Sequence, residues 1–423
     1  MISDIRDYRL PASFFSGNRK RLLEKLPERC CVVLFAGEAV FMSEGAEYRF
    51  RPDRNFYYLA GVEQEDSVLM IRADGSRKKT TLFIHSNDPL KERWTGKRMT
   101  AAEAVEQSGV DEVCFLETLE DAFTALIADT SLTIASDRGL QPGPASRFID
   151  RVEKSRGKDS VRFLYHVLAQ FRMNKQPCEV EMIRRAIELT DLSIREASVL
   201  LRSGTSELGL FSAMNHAMSR YGCMEPAFPT IVAAGEDAFY LHHSDPGSQL
   251  IPKGVMIQID VGATVGGLCA DISRAYPSAG TFTARQSAVY DEVLRCLDHT
   301  IRMIRPGILI SDINKAFREE AAEALVRLGL INEKGSPQIG EYLWHSVTHH
   351  LGMDVHDACL LNIPIEAGAV LAVEPGIYIR EWDVGFRIED DVLVTENGCE
   401  VLSSSISRDR LEVEELLGMS GGM

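Results

Sequence analysis

No window of this chain approaches the roughly eighteen uninterrupted apolar residues of a membrane-spanning helix. The N-terminal run Met1-Ile-Ser-Asp-Ile-Arg-Asp lacks the apolar core of a secretory leader. Both absences point to a cytoplasmic protein without a membrane partner. Basic residues are few beside acidic ones, 46 against 62, and the formal charge of −16 argues against nucleic acid or an anionic lipid surface as partner. Bound cations would neutralise part of that excess. The nine cysteines show no CxxC spacing, which suits reduced thiols better than a disulfide framework or a zinc ribbon. Cys30, Cys31 and Cys269 read as packing residues. There is no Walker motif and no GxSxG elbow. The glycines of 262–267 lack GxGxxG order and open no helix. His345 and His349 have the i, i+4 spacing of a zincin, but Ser346 stands where the general-base Glu would be.

What is present is a soluble globular composition, 45% hydrophobic and 26% charged, on 423 residues, a length that predicts two domains. Residues 1–160 alternate strand-like runs (Cys31–Phe35, Ser67–Ile71, Thr80–Ile84) with helix-like ones (Ala101–Ser108, Leu119–Ala128), predicting a small α/β domain. A connecting helix and linker follow over 161–177, ending at Gln176-Pro177. Residues 178–423 contain an internal repeat. A helix, a short Ser/Gly-containing break and a second helix occur over 178–221 and again over 284–329. Ser206 and Ser311 are the expected N-caps of the second helices. The predicted class is α+β, with the α/β domain followed by a duplicated helix-pair-plus-hairpin domain of pseudo-twofold symmetry.

Each repeat ends in an acidic hairpin. Asp260 and Glu374 both lie six residues after a glycine at the end of an apolar run, and Asp271 and Glu389 return soon afterwards. A turn at Val265-Gly266 would set Asp260 directly across from Asp271, and one at Glu381-Trp382 would do the same for Glu374 and Glu389. Opposed residues have Cβ atoms about 4.5–5.5 Å apart, where like charges repel. Acids on apolar strands are costly unless compensated, and two divalent cations about 3.5–4 Å apart would turn repulsion into binding. Histidines cluster at His242-His243 and at His345, His349, His350 and His356, so one imidazole could complete the cage. An oxygen-rich site with one nitrogen ligand favours Mn²⁺ or Co²⁺, with Zn²⁺ also able to bind. Taken singly, Asp260 reads as a strand-end acid and Glu389-Asp390-Asp391 as a solvated acidic run. His85, His166, His216 and His299 have no partners in the sequence and read as structural.

The ordered motifs Ile259-Asp260-Val-Gly262, Ala270-Asp271-Ile-Ser-Arg274, Thr348-His349-His-Leu-Gly352, Asp354-Val-His356-Asp357, Val373-Glu374-Pro-Gly-Ile-Tyr378 and Phe386-Arg387-Ile-Glu389 resemble the pita-bread metallopeptidases. That clan includes methionine aminopeptidase, aminopeptidase P, prolidase and creatinase. Arg51–Gly61 and Glu92–Lys97 are similar to the N-terminal domain of the aminopeptidase P and prolidase group. The resemblance implies that Asp260 holds one metal, that Asp271 and Glu389 bridge two, and that His349 and Glu374 hold the other. It implies a substrate contact for His242, steadying of the tetrahedral intermediate by His356, a pocket role for His345, and an arginine, Arg387, preceding the last ligand. Glu374 is the implied proton relay. His350 stands where relatives carry Trp or Phe, Leu268 and Ala275 replace a frequent Tyr and Thr, and Ala372 replaces a Thr two residues before Glu374.

The implied activity is removal of an N-terminal residue from peptides with proline second. An Xaa-Pro dipeptidase would need a cation for the substrate carboxylate, with Arg380, Arg387 or Lys97 as candidates. A catalytically inactive binding protein and a creatinase-like amidinohydrolase also belong to the clan's range. Relatives with this N-terminal domain are dimers or tetramers, so the resemblance implies a homodimer or homotetramer.

Overall fold

The computed structural model describes residues 4–139 and 143–418. The chain divides into two units, one spanning Leu10–Phe171 and the other Arg172–Met423 together with the segment before Leu10.

In the first unit, six strands form one sheet in the order Glu112–Phe115, Arg77–Ile84, Val68–Asp74, Arg29–Phe35, Thr133–Ser136, Val161–Phe163. Only Val68–Asp74 runs antiparallel to its neighbours. The run Cys30–Phe35 is buried throughout, as expected of a central strand covered on both faces. Its thiols are packing groups, and burial pushes Cys31 up to about 12. The helices Ala101–Ser108 and Leu119–Ala128 have the bounds read from the sequence. The strand Val161–Phe163 belongs to the sheet, so this unit continues past residue 160.

The second unit is the duplicated one. Helices Pro177–Ser203 and Glu207–Arg220 precede a sheet in which Met256–Val261 lies between Ile231–Ala234 and Ile272–Pro277. Helices Ala284–Met303 and Ile310–Arg327 precede a sheet in which Val370–Val373 lies between Thr348–His350 and Asp390–Thr395. The two antiparallel triplets repeat one plan, and the second adds the edge strand Gly398–Val401. Apolar faces of the second helix pair, among them Val293, Leu297, Phe317 and Leu325, pack with Ile377, Phe386 and Ile388 of the second hairpin in one buried cluster.

Ser206 caps its helix through a bond from Gly209 N–H, as expected. Ser311 does not cap its helix. That helix starts at Ile310 with Leu309 as N-cap, so Ser311 lies in the first turn. Cysteines form no disulfide, and among the described residues no helix is long and apolar enough to cross a membrane.

The first hairpin corrects the register read from spacing. Asp260 pairs with Ser273 and Val261 with Ile272, while Val265 pairs with Leu268 across the two-residue turn Gly266-Gly267. Asp271 is therefore two residues out of direct opposition. The turn moved because Gly266 and Gly267 both take left-handed φ, 57° and 82°. A type I′ turn requires positive φ at both central positions, and a Val265-Gly266 centre cannot supply it. The even offset still keeps both aspartates on one face. In the second hairpin the pairs Val373–Asp390 and Gly376–Arg387 share one register, so Glu374 and Glu389 do face each other.

Candidate metal centre

The two hairpins interlock through buried bonds. Glu389 N–H donates to the Ser273 carbonyl at 3.1 Å, Arg387 N–H to Gln258 Oε1 at 2.8 Å, and Asp271 N–H to Asp391 Oδ2 at 3.1 Å. Arg274 is fully buried and donates to the carbonyls of Ser273, Glu389, Ile406 and Ser407 and to Asp390. Its motif position marks a structural tie between hairpins. Glu389-Asp390-Asp391, which alone would read as solvated, is buried throughout.

A cavity of about 620 Å³ opens where the hairpins meet. Asp260, Asp271, His349, Glu374 and Glu389 all line it, together with His242, His345, His356 and Arg387. The nine residues given ligand or pocket roles therefore line one cavity, while His243, His350, Arg380 and Lys97 do not. Asp271, His349 and Glu389 form the tightest group, each offering a ligand atom within 4.8 Å of the others. His349 Nε2 is 3.5 Å from Asp271 Oδ2 and 3.6 Å from Glu374 Oε1. Asp260 sits beyond that group, with Oδ2 paired to Arg387 and Oδ1 buried without a hydrogen-bond partner.

The electrostatics are those of an acid cluster that Arg387 and His349 compensate only in part. Burial, aided by the field of Asp260, pushes Asp271 up to about 6. Burial and the Asp271 charge push Glu374 up to about 7, and burial with Asp271, Glu374 and Asp260 drives Glu389 well above the usual carboxylate range. Burial opposes charge on His349, but Asp271 and Glu374 overcome it and raise the imidazole to about 9. Carboxylates this close lack positive charge, which divalent cations would provide. His349 Nδ1 bonds the His350 carbonyl at 3.1 Å, which leaves Nε2 facing the acids as a ligand atom. The orphaned Asp260 oxygen, the acid cluster and this oriented imidazole fit a pair of hard cations with one nitrogen ligand.

The other histidines take distinct positions. His345 Nδ1 bonds the Ser346 carbonyl at 2.9 Å and Nε2 the Tyr378 hydroxyl at 3.0 Å. Burial lowers it to about 4, so it is held neutral with Nε2 as acceptor. The His356 ring lies 4.3 Å from that of His349, and burial together with the His349 and His242 charges lowers its pKa. His350 is buried away from the cavity with Nδ1 unpartnered, and burial lowers it to about 3. His243 turns from the cavity to Glu207 at 3.2 Å.

Sequence reasoning missed the cavity's apolar wall of Phe228, Pro229, Ile231, Leu241 and Val355. Pattern gives little warning of it, because these residues come from three separate segments. It also missed Tyr378, which stacks on Trp344 at 4.6 Å and bonds His345, and Asp391, whose Oδ1 is buried without a partner opposite Ala372. The Thr-to-Ala departure at 372 was a signal for that gap, since a hydroxyl there would face Asp391.

A family model described as metallopeptidase family M24 matches residues 181–396, about half of the chain and nearly all of the duplicated unit. The chain belongs to metallopeptidase family M24. It is thus a peptidase hydrolase of the pita-bread fold, preceded by a region matching the aminopeptidase P N-terminal domain over residues 15–135. It is 29% identical to the Xaa-Pro aminopeptidase of Escherichia coli K12, covering 95% of this chain and 97% of that one. It is 30% identical to Xaa-Pro aminopeptidase 3 of Mus musculus over 91% of this chain and 80% of the relative. The solved structure of E. coli aminopeptidase P in a low-pH form superposes with a TM-score of 0.89 at 28% identity, covering 97% of this chain and 99% of that one.

Proposed function

We propose that this M24 peptidase is a two-metal Xaa-Pro aminopeptidase, acting on peptides with proline second. The reading is carried by one observation: the five expected ligands line a single cavity beside an apolar wall. The names of the relatives support the substrate class. Asp260, Asp271, His349, Glu374 and Glu389 would hold the cations, with Mn²⁺ favoured and Co²⁺ or Zn²⁺ compatible. When bound, such a pair polarises a carbonyl and makes water nucleophilic at neutral pH.

The chain's own side chains do the rest. Glu374, lining the cavity 3.6 Å from His349, is placed to take a proton from the attacking water and pass it to the leaving nitrogen. His356 stands at the cavity wall to donate an N–H where charge develops on the carbonyl oxygen. His345 stays neutral and oriented by Tyr378. Arg387 holds Asp260 and the Leu241 carbonyl, tying the second hairpin to the segment that carries His242. The tertiary amide of an Xaa-Pro bond offers no N–H, so Phe228, Pro229, Ile231, Leu241 and Val355 select the ring by shape and apolar contact. We place the protein in the cytoplasm as a homodimer or homotetramer, on the composition and resemblance given above.

The test is a panel of Xaa-Pro-Yaa peptides with Mn²⁺, products identified by mass. Free Xaa is expected, and its absence from every peptide overturns the reading. One observation favours the dipeptidase as second reading. Arg387 is committed to Asp260 and Lys97 to Glu103, whereas Arg380 lies over the Phe239 and Trp344 rings with no carboxylate partner among the described residues. Faster turnover of Xaa-Pro than of Xaa-Pro-Yaa-Zaa, lost in Arg380→Ala, would select it.

A further inference from the structure

Glu207 opens the Glu207–Arg220 helix and is buried, although no part of the chemistry above uses it. Its Oε1 accepts the Ala234 N–H at 2.6 Å. Its Oε2 accepts the Gly247 N–H at 2.7 Å and lies 3.2 Å from His243 Nε2. Ala234 ends the strand Ile231–Ala234, and Gly247 closes the loop that follows it. One carboxylate therefore joins both ends of that loop. Backbone bonds reinforce the clasp, with Leu208 N–H to the Gly247 carbonyl at 3.0 Å and Ile251 N–H to the Thr205 carbonyl at 2.9 Å.

The same loop carries Leu241, His242 and Ser244 to the cavity. Between its ends the backbone bonds are local, Tyr240 N–H to Asp237 O and His243 N–H to Tyr240 O, each at 3.0 Å, and one side chain reaches in, Arg387 donating to the Leu241 carbonyl at 3.2 Å. Adjacent histidines thus divide their work. His243 faces inward to Glu207, and His242 faces the cavity. Asp237 lies close enough to Glu207 and His243 for the three to resemble a small cation site. Both Glu207 oxygens, however, already accept amides and Oε2 also faces the His243 ring, so the carboxylate is engaged by the protein itself.

We propose that Glu207 is a positioning residue for His242, holding the 235–247 loop by a carboxylate clip so that His242 meets the substrate. This rests on the peptidase reading above. A carboxylate is required because it presents an acceptor to each amide. Gln presents one acceptor oxygen and would turn an NH₂ toward the other N–H, and Asp is one methylene too short to span both amides.

The test uses the full-length, Mn²⁺-loaded protein with Glu207→Gln, His242→Ala and the double variant. Amide hydrogen exchange over 235–247 should rise about tenfold or more in Glu207→Gln while bound metal per chain stays the same. On a proline-second peptide, kcat/KM should fall about 10–100-fold, with the double variant matching His242→Ala within about twofold. Unchanged exchange overturns the clip. Raised exchange with unchanged kcat/KM, or losses that multiply in the double variant, overturns the positioning role. An inactive wild type would sink the peptidase reading and the His242 role with it, while exchange would still decide the clip alone. If Glu207→Gln fails to fold, Glu207→Asp, too short to span both amides, carries the same readouts with smaller shifts, and unchanged exchange over 235–247 overturns the clip there as well.

Discussion

At the scale of single residues, His350 is the clearest departure with a cost. Its Nδ1 is buried without a partner, and burial holds the ring neutral, lowering it to about 3. Such a group stabilises the fold fully above its unfolded pKa of about 6.5. That contribution is lost as pH falls from there toward the folded value, because only the unfolded chain takes up the proton. In metal-stripped protein, His350→Phe should therefore lose less stability between pH 7 and pH 5, by about 2 kcal/mol, in urea titrations compared with wild type. Equal losses in both proteins would show that the ring carries no such linkage. The identity of this departure was legible in the sequence. Its energetic sign was not, because burial of a single ring nitrogen depends on what packs around it, here Lys175 and Asp357.

At the scale of elements, the two hairpins divide the lesson. The Glu374/Glu389 register was readable from spacing, since its midpoint and its pairing coincide. The Asp260/Asp271 register was not, because the turn type, set by positive φ at Gly266 and Gly267, outweighs midpoint arithmetic. Gly266→Val should destabilise by about 2 kcal/mol or more by thermal unfolding. A β-branched residue is strained in that region and its Cβ would meet the Met182 side chain. It should also shift Asp271 relative to Asp260 and weaken metal retention. A variant with unaltered Tm and metal content would show that the turn does not set the aspartates.

At the scale of the whole molecule, buried like charges in the cavity are a stability cost that cations relieve. Binding to the folded state alone adds about 2.7 kcal/mol when free metal is a hundred times Kd. Mn²⁺ should therefore raise the Tm of chelator-treated protein, and His349→Ala, lacking the proposed nitrogen ligand, should show a much smaller rise. A Tm indifferent to Mn²⁺ in the wild type would remove the metal reading of the acid cluster. The fold suits this design, since each helix pair supports one triplet of strands and neither hairpin supplies the proposed ligand set alone.

The sequence by itself determined the duplication, the helix bounds of the first unit that periodicity marks, the four acids of the hairpins and, through the family resemblance of its motifs, the other five residues now lining one cavity, because apolar period, punctuation and motif order are local properties. Only the tertiary structure decided which acids stand closest, where the apolar wall lies, and that His242 and His243 face opposite ways. Those outcomes depend on strand register and on loops clasped by distant side chains such as Glu207, which one-dimensional spacing does not encode.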